Sequence, residues 1–454
     1  MMDTQRAALE VNGRLIGPSV RFAGVSTDTR SVEAGDLFVA LRGERFDGHD
    51  FVAQAFAGGA VAALVNEVRA EALTGPRVAV DDTLRALGRL AQRWRTRFAI
   101  PVVGVVGSNG KTTVKEMIAS IFRASVGDAH VLATRGNLNN AIGLPLTVLR
   151  LRDDHRLAVL ELGMNHRGET RELAAIAQPT IAVITNAQRE HQEFMRSVAD
   201  VAEEHADLIR ALDASGTAVI NADDAHASVW RAAASARKRI EFGLENRADV
   251  HATFVAHRDR SELAIATPRG RVDVLLGVPG RHMVVNALAA TAVALAADIA
   301  LDAVRAGLTA FRAVDGRLVA RSMPGGTVVI DDSYNANPDS VRAAIDVLAA
   351  APGQKWLVLG DMGEVGEQGP AFHREIGAYA KRAGIDRLLA SGELMAEAVQ
   401  AFGTGAEHVD SVEELAQRVA STVRAGVTVL IKGSRFMRME RVVAALTGSP
   451  GSAH

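Results

Sequence analysis

The 454-residue chain contains no cysteine. That excludes a disulfide framework and any thiolate chemistry, and it fits a reducing compartment; a cytoplasmic location is expected. Positive charge is not in excess either: 51 Lys and Arg face 53 Asp and Glu, for a formal net charge of −2. Nothing in that balance points to nucleic acid or to an anionic membrane. Lysine is scarce within the basic set, confined to Lys111, Lys115, Lys238, Lys355, Lys381 and Lys432. The start, Met1-Met2-Asp3-Thr4-Gln5-Arg6, has no apolar core of the kind a secretory signal needs. Only Met283–Leu301 could imitate a membrane span. It is alanine-rich and carries Asn286 and Asp298, so it reads as a buried helix, and no integral membrane segment is expected.

What is there begins with Val102-Val103-Gly104-Val105-Val106-Gly107-Ser108-Asn109-Gly110-Lys111-Thr112-Thr113. A β-branched run ends in a glycine-rich turn, and a helical pattern (Val114 to Phe122) follows. Strand, turn and helix in that order form a phosphate-cradling loop. Glycines let backbone N–H groups converge on phosphate oxygens, and the helix N-terminus adds partial positive charge. Lys111 can reach outer phosphates, and Thr112 can offer its hydroxyl to Mg²⁺. The strict pattern would have glycine where Val105 stands, so this is a variant, Gly107-x-x-Gly110-Lys111-Thr112, and the alternative is an ordinary glycine-rich turn.

The length is that of about three domains. Residues 1–98 read as a small α/β module, with Val25-Ser26-Thr27-Asp28-Thr29-Arg30, an apolar run at Leu37–Leu41 and a helical run over Thr83–Phe98. Residues 99–317 alternate β-type runs (Leu157–Leu160, Ile181–Ile184, Ala218–Ile220) with helical patterns, which predicts a parallel sheet covered by helices. Val250–Leu276 alternates apolar and polar residues as antiparallel strands do. Residues 318–454 begin a second α/β alternation, with strands at Thr327–Ile330, Trp356–Leu359, Arg387–Ala390 and Thr428–Ile431, and end in a Gly/Ser tail after Thr447 that is expected to fray.

Polar residues stand where these strands end, the usual ligand edge of an open α/β sheet. Glu161 follows Leu157–Leu160 and can hold Mg²⁺ opposite Thr112 through hard oxygen ligands, or serve only as a cap or ion-pair partner. His191 follows the next strand, where it can be functional or merely structural. Thr134-Arg135-Gly136-Asn137-Leu138-Asn139-Asn140 sets three asparagines ahead of a helix. Their amides can bind sugar hydroxyls or diphosphate without adding charge, or simply cap a loop. Asn286, Asp315-Gly316-Arg317 and Asp331-Asp332-Ser333-Tyr334-Asn335-Ala336-Asn337-Pro338 are further polar clusters, each weak alone.

Together these motifs, with Gly360-Asp361-Met362-Gly363-Glu364 and Lys432-Gly433-Ser434-Arg435, resemble the Mur ligase family over essentially the whole chain. The family's members are ATP-dependent amide ligases of peptidoglycan precursor synthesis, and so of cell-wall growth, shape and division. The likeness is to members that join D-alanyl-D-alanine to UDP-N-acetylmuramoyl-tripeptide. It implies an α/β protein of three domains: an N-terminal UDP-muramoyl-binding module, a central P-loop ATPase domain with a parallel sheet, and a C-terminal Rossmann-like domain presenting the dipeptide. A monomer is expected.

Residue by residue, the resemblance implies that Gly107, Ser108, Asn109, Gly110, Lys111, Thr112 and Thr113 cradle ATP, with Asn286 near the adenine. Arg317, Asp331 and Asn335 would clamp the nucleotide from the last domain. Lys111, Glu161 and His191 would be catalytic, with Thr112 and Glu161 on one Mg²⁺ and His191 on a second. Ser26, Asp28, Arg30, Thr134, Asn137, Asn139, Asn140 and Lys432 would bind the substrates. The nucleotide-facing residues of the last domain are expected to reach the loop only when that domain closes.

One position departs from the pattern. Many family members carry a carbamate-modified lysine, a ligand to a second Mg²⁺, where this chain has His205. An imidazole is a poor Mg²⁺ ligand, so Glu204 and Asp207 are the expected carboxylates. His205 would donate to metal-bound water or substrate phosphate, or lie exposed without consequence. The rival readings are a muramoyl tripeptide synthetase, a folylpolyglutamate synthetase and, from another class, a nucleotide switch without ligase activity.

Overall fold

The structure is a computed structural model and describes residues 1–257 and 259–448; the Gly/Ser tail beyond Gly448 lies outside them. Its centre is a six-stranded, all-parallel sheet in the order Lys238–Phe242, Thr217–Asn221, Ile181–Ile184, Val102–Val106, Leu157–Glu161, Val131–Ala133. From the central strand Val102–Val106 the chain first crosses to the edge strand Val131–Ala133, comes back inward through Leu157–Glu161, and then builds outward on the other side. The phosphate loop therefore hangs at the switch point where strand order reverses, the place such sheets offer a ligand.

Both faces of that sheet are covered, and the period of two sorts its residues. Val103 and Val105 pack into one apolar cluster with Met117, Ile118, Ile121 and Phe122 of the helix Lys111–Val126. Val102 and Val106 join another, with Leu208 of the helix Val198–Arg210 and Leu173 of the helix Glu169–Ala177. Behind the loop helix lies Arg281–Ala296, buried on nearly every face as its alanine-rich composition predicts. Among the described residues no helix is long and apolar enough to cross a membrane. The strands His251–Ala256, Ser261–Thr267 and Gly270–Leu276 form the expected antiparallel meander.

The N-terminal sheet has the order Arg14–Ile16, Arg77–Val80, Ala62–Asn66, Asp36–Val39, Gly24–Ser26. Its first strand is antiparallel and the others run parallel. This module is not walled off at residue 98. Leu87, Leu90 and Trp94 of the helix Thr83–Arg95 share a cluster with Val102 and Leu160 of the central sheet. The buried Arg95 guanidinium donates to the carbonyls of Ala177 (3.1 Å) and Gln178 (3.0 Å), satisfying a helix end of the neighbouring unit. The C-terminal sheet has the order Val319–Ser322, Val328–Asp332, Val427–Lys432, Gln354–Gly360, Arg387–Ser391, Ala406–Val409. Only its first strand is antiparallel. That edge strand is half exposed, so its sequence carries little apolar signal.

The loop helix is wedged against Leu301–Ala310 by a glycine. A Cβ at Gly307 would stand 2.4 Å from Ile121 Cα and 2.6 Å from its nitrogen, both backbone atoms that cannot rotate away. Gly307→Ala is therefore expected to destabilise by about 1–3 kcal/mol, although alanine is the better helix former by about 1 kcal/mol. A urea midpoint equal to that of the wild type would show that this contact yields.

Candidate active site

The phosphate loop is built by glycine at two points. Gly107 has φ 139°, and a Cβ there would lie 1.9 Å from Thr185 Oγ1; Gly110 has φ 83°, and a Cβ there would lie 2.6 Å from Asn286 Oδ1. The end of the adjacent strand grips the turn. Ser108 N donates to Asn186 O (3.0 Å), Asn109 N to Asn186 Oδ1 (2.9 Å), and Thr185 Oγ1 to Asn109 O (2.7 Å).

Around the loop opens a cavity of about 1080 Å³, roomy enough for a nucleotide and a second substrate. The central domain contributes Ser108 to Thr113, Asn137, Asn139, Asn140, Glu161, His191 and Asn286. Arg317, at the junction with the C-terminal domain, and Asn335 and Lys432 within that domain complete the wall. Arg317 already reaches the loop, donating to Thr112 Oγ1 at 2.9 Å and stacking on Tyr334. Asn109 and Asn337 exchange amide contacts, and Arg189 holds Asp339 (2.6 Å) and Glu375 (2.7 Å) of the last domain.

Glu161 ends its strand with 2% exposure. Asn139 Nδ2 donates to its Oε1 at 2.8 Å, while Oε2 is buried with no hydrogen-bond partner. A buried, half-satisfied carboxylate on the same cavity wall as Thr112 and the phosphate loop suits a hard divalent cation. Thr134 does not line the cavity. Its hydroxyl accepts the Glu161 N–H at 3.0 Å, and its carbonyl accepts Lys115 Nζ at 2.9 Å, so it positions Glu161. Ser26, Asp28 and Arg30 also lie outside the cavity, in a turn where Arg30 grips the Asp28 carboxylate at 2.6 Å.

Asp331 does not face the cavity either. Successive strand residues point to opposite faces. Asp331 is buried, accepting from Ser333 N (3.1 Å) and Oγ (2.6 Å), while its neighbour Asp332 lines the cavity and pairs with Lys432 Nζ at 2.6 Å. Lys432 Nζ also donates to Asn335 O at 2.8 Å, drawing two expected residues into one cluster.

Both carboxylates expected beside His205 are engaged elsewhere. Glu204 accepts from Gly168 N and Thr170 N, each 2.8 Å, capping a helix; Asp207 pairs with Arg171 (3.0 Å) and Arg210 (2.8 Å). His205 is neither exposed nor on the cavity wall. At 1% exposure it lies 3.1 Å, through Nε2, from Glu190 Oε1. Glu190 was not singled out from the sequence, yet it lines the cavity at 6% exposure, with Lys111 Nζ 3.3 Å from Oε2 and His191 Nε2 at 3.8 Å. Burial alone would raise its carboxyl; Lys111, His205 and His191 outweigh that and hold it at about 2, so it is ionised at neutral pH. An ionised carboxylate only accepts, so His205 Nε2 carries the proton. The signal for Glu190 was slight: one acidic residue in a charged strand-end loop, Arg189-Glu190-His191.

Comparison with known proteins agrees with this geometry. Residues 21–95 match the Mur ligase family catalytic domain, 105–294 the Mur ligase middle domain, and 316–435 the Mur ligase glutamate ligase domain. The UDP-N-acetylmuramoyl-tripeptide–D-alanyl-D-alanine ligase of Escherichia coli is 42% identical over 440 residues, 96% of each chain. A MurF crystal structure from Acinetobacter baumannii superposes with TM-score 0.91 at 33% identity, over 99% of both chains. The MurF ligase of Thermotoga maritima in complex with ADP superposes with TM-score 0.82 at 29% identity, over 93% of this chain and 96% of that one. With a phosphate loop, a two-domain cavity and full-length relatives of one kind, the chain belongs to the Mur ligase family of ATP-dependent ligases.

Proposed function

We propose that this chain joins D-alanyl-D-alanine to UDP-N-acetylmuramoyl-tripeptide at the expense of ATP, forming the UDP-muramoyl-pentapeptide of peptidoglycan synthesis. One observation carries the reading beyond its relatives: the phosphate loop of one domain and the Lys432–Asp332–Asn335 cluster of another line a single cavity. Phosphates and an incoming amine can thus meet in one place.

A free carboxylate is a poor electrophile. The tripeptide carboxylate oxygen attacks the γ-phosphorus of ATP, the bond to the β-phosphate oxygen breaks, and ADP leaves an acyl phosphate. The dipeptide amine, having lost a proton, then attacks the acyl carbon. The C–O bond to phosphate breaks, and an amide and inorganic phosphate result. Positioning and charge neutralisation supply most of the rate. Lys111 lies at the loop to offset charge on the outer phosphates, and Arg317 does so from the other domain. Gly107 to Thr113 would fix the phosphates, and Asn286, beside Gly110, is the candidate for the adenine. Asn137, Asn139 and Asn140 offer neutral amides to the muramoyl substrate. Ser26, Asp28 and Arg30, at the end of the strand Gly24–Ser26 and in the turn after it, are candidates for its distant uridine end. Thr112 and Glu161 would hold one Mg²⁺ and His191 a second, ions that when bound neutralise phosphate charge and orient the triphosphate.

Phosphate release is the direct test. It should require the tripeptide substrate and D-alanyl-D-alanine together, and a chain releasing phosphate equally without the amine would be a nucleotide switch instead. Lys111→Ala should keep its fold and lose more than tenfold in turnover, a deficit above about 1.4 kcal/mol. Residual turnover above a tenth would remove Lys111 from its role.

A second expectation concerns acid. His282 stands on the cavity wall with Nε2 buried and without a hydrogen-bond partner; burial, then the charge of Lys432, pushes its pKa down to about 4 from 6.5. A histidine held neutral in the fold binds its proton more readily when unfolded. Its contribution is thus intact above pH 6.5 and lost as pH falls toward 4, by up to about 3 kcal/mol. His282→Gln should flatten the decline in urea midpoint across that window, and parallel declines in both proteins would count against it.

A further inference from the structure

Glu190 is a buried negative charge beside a loop that gathers phosphates, and Coulomb repulsion makes that arrangement unfavourable unless a cation stands between. In the structure the cation is the Lys111 ammonium, 3.3 Å from Oε2, which also donates to Gly107 O at 2.5 Å. Lys111 is the residue assigned to the outer phosphates. When it turns to them, Glu190 Oε2 loses that pairing and faces the cavity with His191 Nε2, 3.8 Å away on the same side. His191 stands there on a backbone at φ 48°, with Glu364 Oε2 2.6 Å from its other ring nitrogen. Glu161 Oε2, buried and without a hydrogen-bond partner on the same cavity wall, independently marks this pocket as one built for a cation.

We propose that Glu190 Oε2, together with His191 Nε2, is a protein ligand for a second divalent cation bound with the nucleotide, and that His205 is the positioning residue that orients Glu190. Among the described residues no three His, Asp or Glu side chains can hold a metal unaided. Phosphate oxygens and water therefore complete the shell, which is the coordination Mg²⁺ favours. His205 is not placed as a ligand: its Nε2 is taken up by Glu190 Oε1 at 3.1 Å, its Nδ1 is buried without a partner, and it does not line the cavity. It does for Glu190 what an outer-sphere hydrogen bond does for a ligating carboxylate.

The assignment rests on the proposed divalent cation at His191, and the experiment separates the two. Mn²⁺ is titrated into the full chain with a non-hydrolysable ATP analogue, and free Mn²⁺ is read by electron paramagnetic resonance. The wild type should bind two Mn²⁺ per chain. Glu190→Gln should keep the tighter site, at Thr112 and Glu161, and weaken the other at least tenfold. His205→Ala should weaken that second site about 10- to 100-fold, and His205→Gln, which keeps an N–H donor, should recover much of the loss. A single site in the wild type would overturn the second-cation reading itself. Two sites in the wild type and an undisturbed second site in Glu190→Gln would overturn only Glu190 as ligand. Should Glu190→Gln fail to fold, an unchanged second site in His205→Ala would overturn the assignment equally.

Discussion

The site depends on one strand end holding its neighbour's loop. Asn221 Nδ2 donates to Thr185 O at 2.8 Å, Thr185 Oγ1 donates to Asn109 O, and Asn186 caps the same turn from both its backbone and its amide. Three adjacent strands are thereby tied, side chain to backbone, at the edge where ligands bind. The loop's donors point at one place because this tether has fixed them beforehand, so little ordering is left to be done when phosphate arrives. Gly107 is the steric counterpart of the tether, since a side chain there would occupy the space of Thr185 Oγ1.

Much of this was legible in the sequence because it rests on local rules. β-branched runs gave the strands of the central and C-terminal sheets, and the turn chemistry of Gly107–Thr113 located the loop. The alanine-rich stretch from Met283 proved to be a buried helix, and Glu161, His191 and the three asparagines came to one cavity. Each of these signals is carried by neighbours in the chain.

What was not legible depends on pairing across distance. The choice between Asp331 and Asp332 is a matter of strand register, which a two-residue acidic pair cannot announce. Arg14–Ile16 and Val319–Ser322 are short, exposed edge strands defined by their partners rather than by their own residues. Glu204 and Asp207 were attractive by adjacency to His205, but a helix sends neighbours in different directions, and both meet other partners. Glu190, fifteen residues away in sequence, is what the fold sets against that imidazole.

The Arg189 contacts with Asp339 and Glu375 join the nucleotide-binding domain to the last one immediately beside Glu190 and His191. Docking of the last domain and occupancy of the site are therefore thermodynamically linked, and reciprocally so: whatever strengthens one strengthens the other by the same free energy. Because the second half of the site is carried on the same chain, its effective concentration is set by the linking segment rather than by dilution. The charges that draw the domains together are only partly shielded from water, so ionic strength tunes how much of that tethered advantage the nucleotide receives.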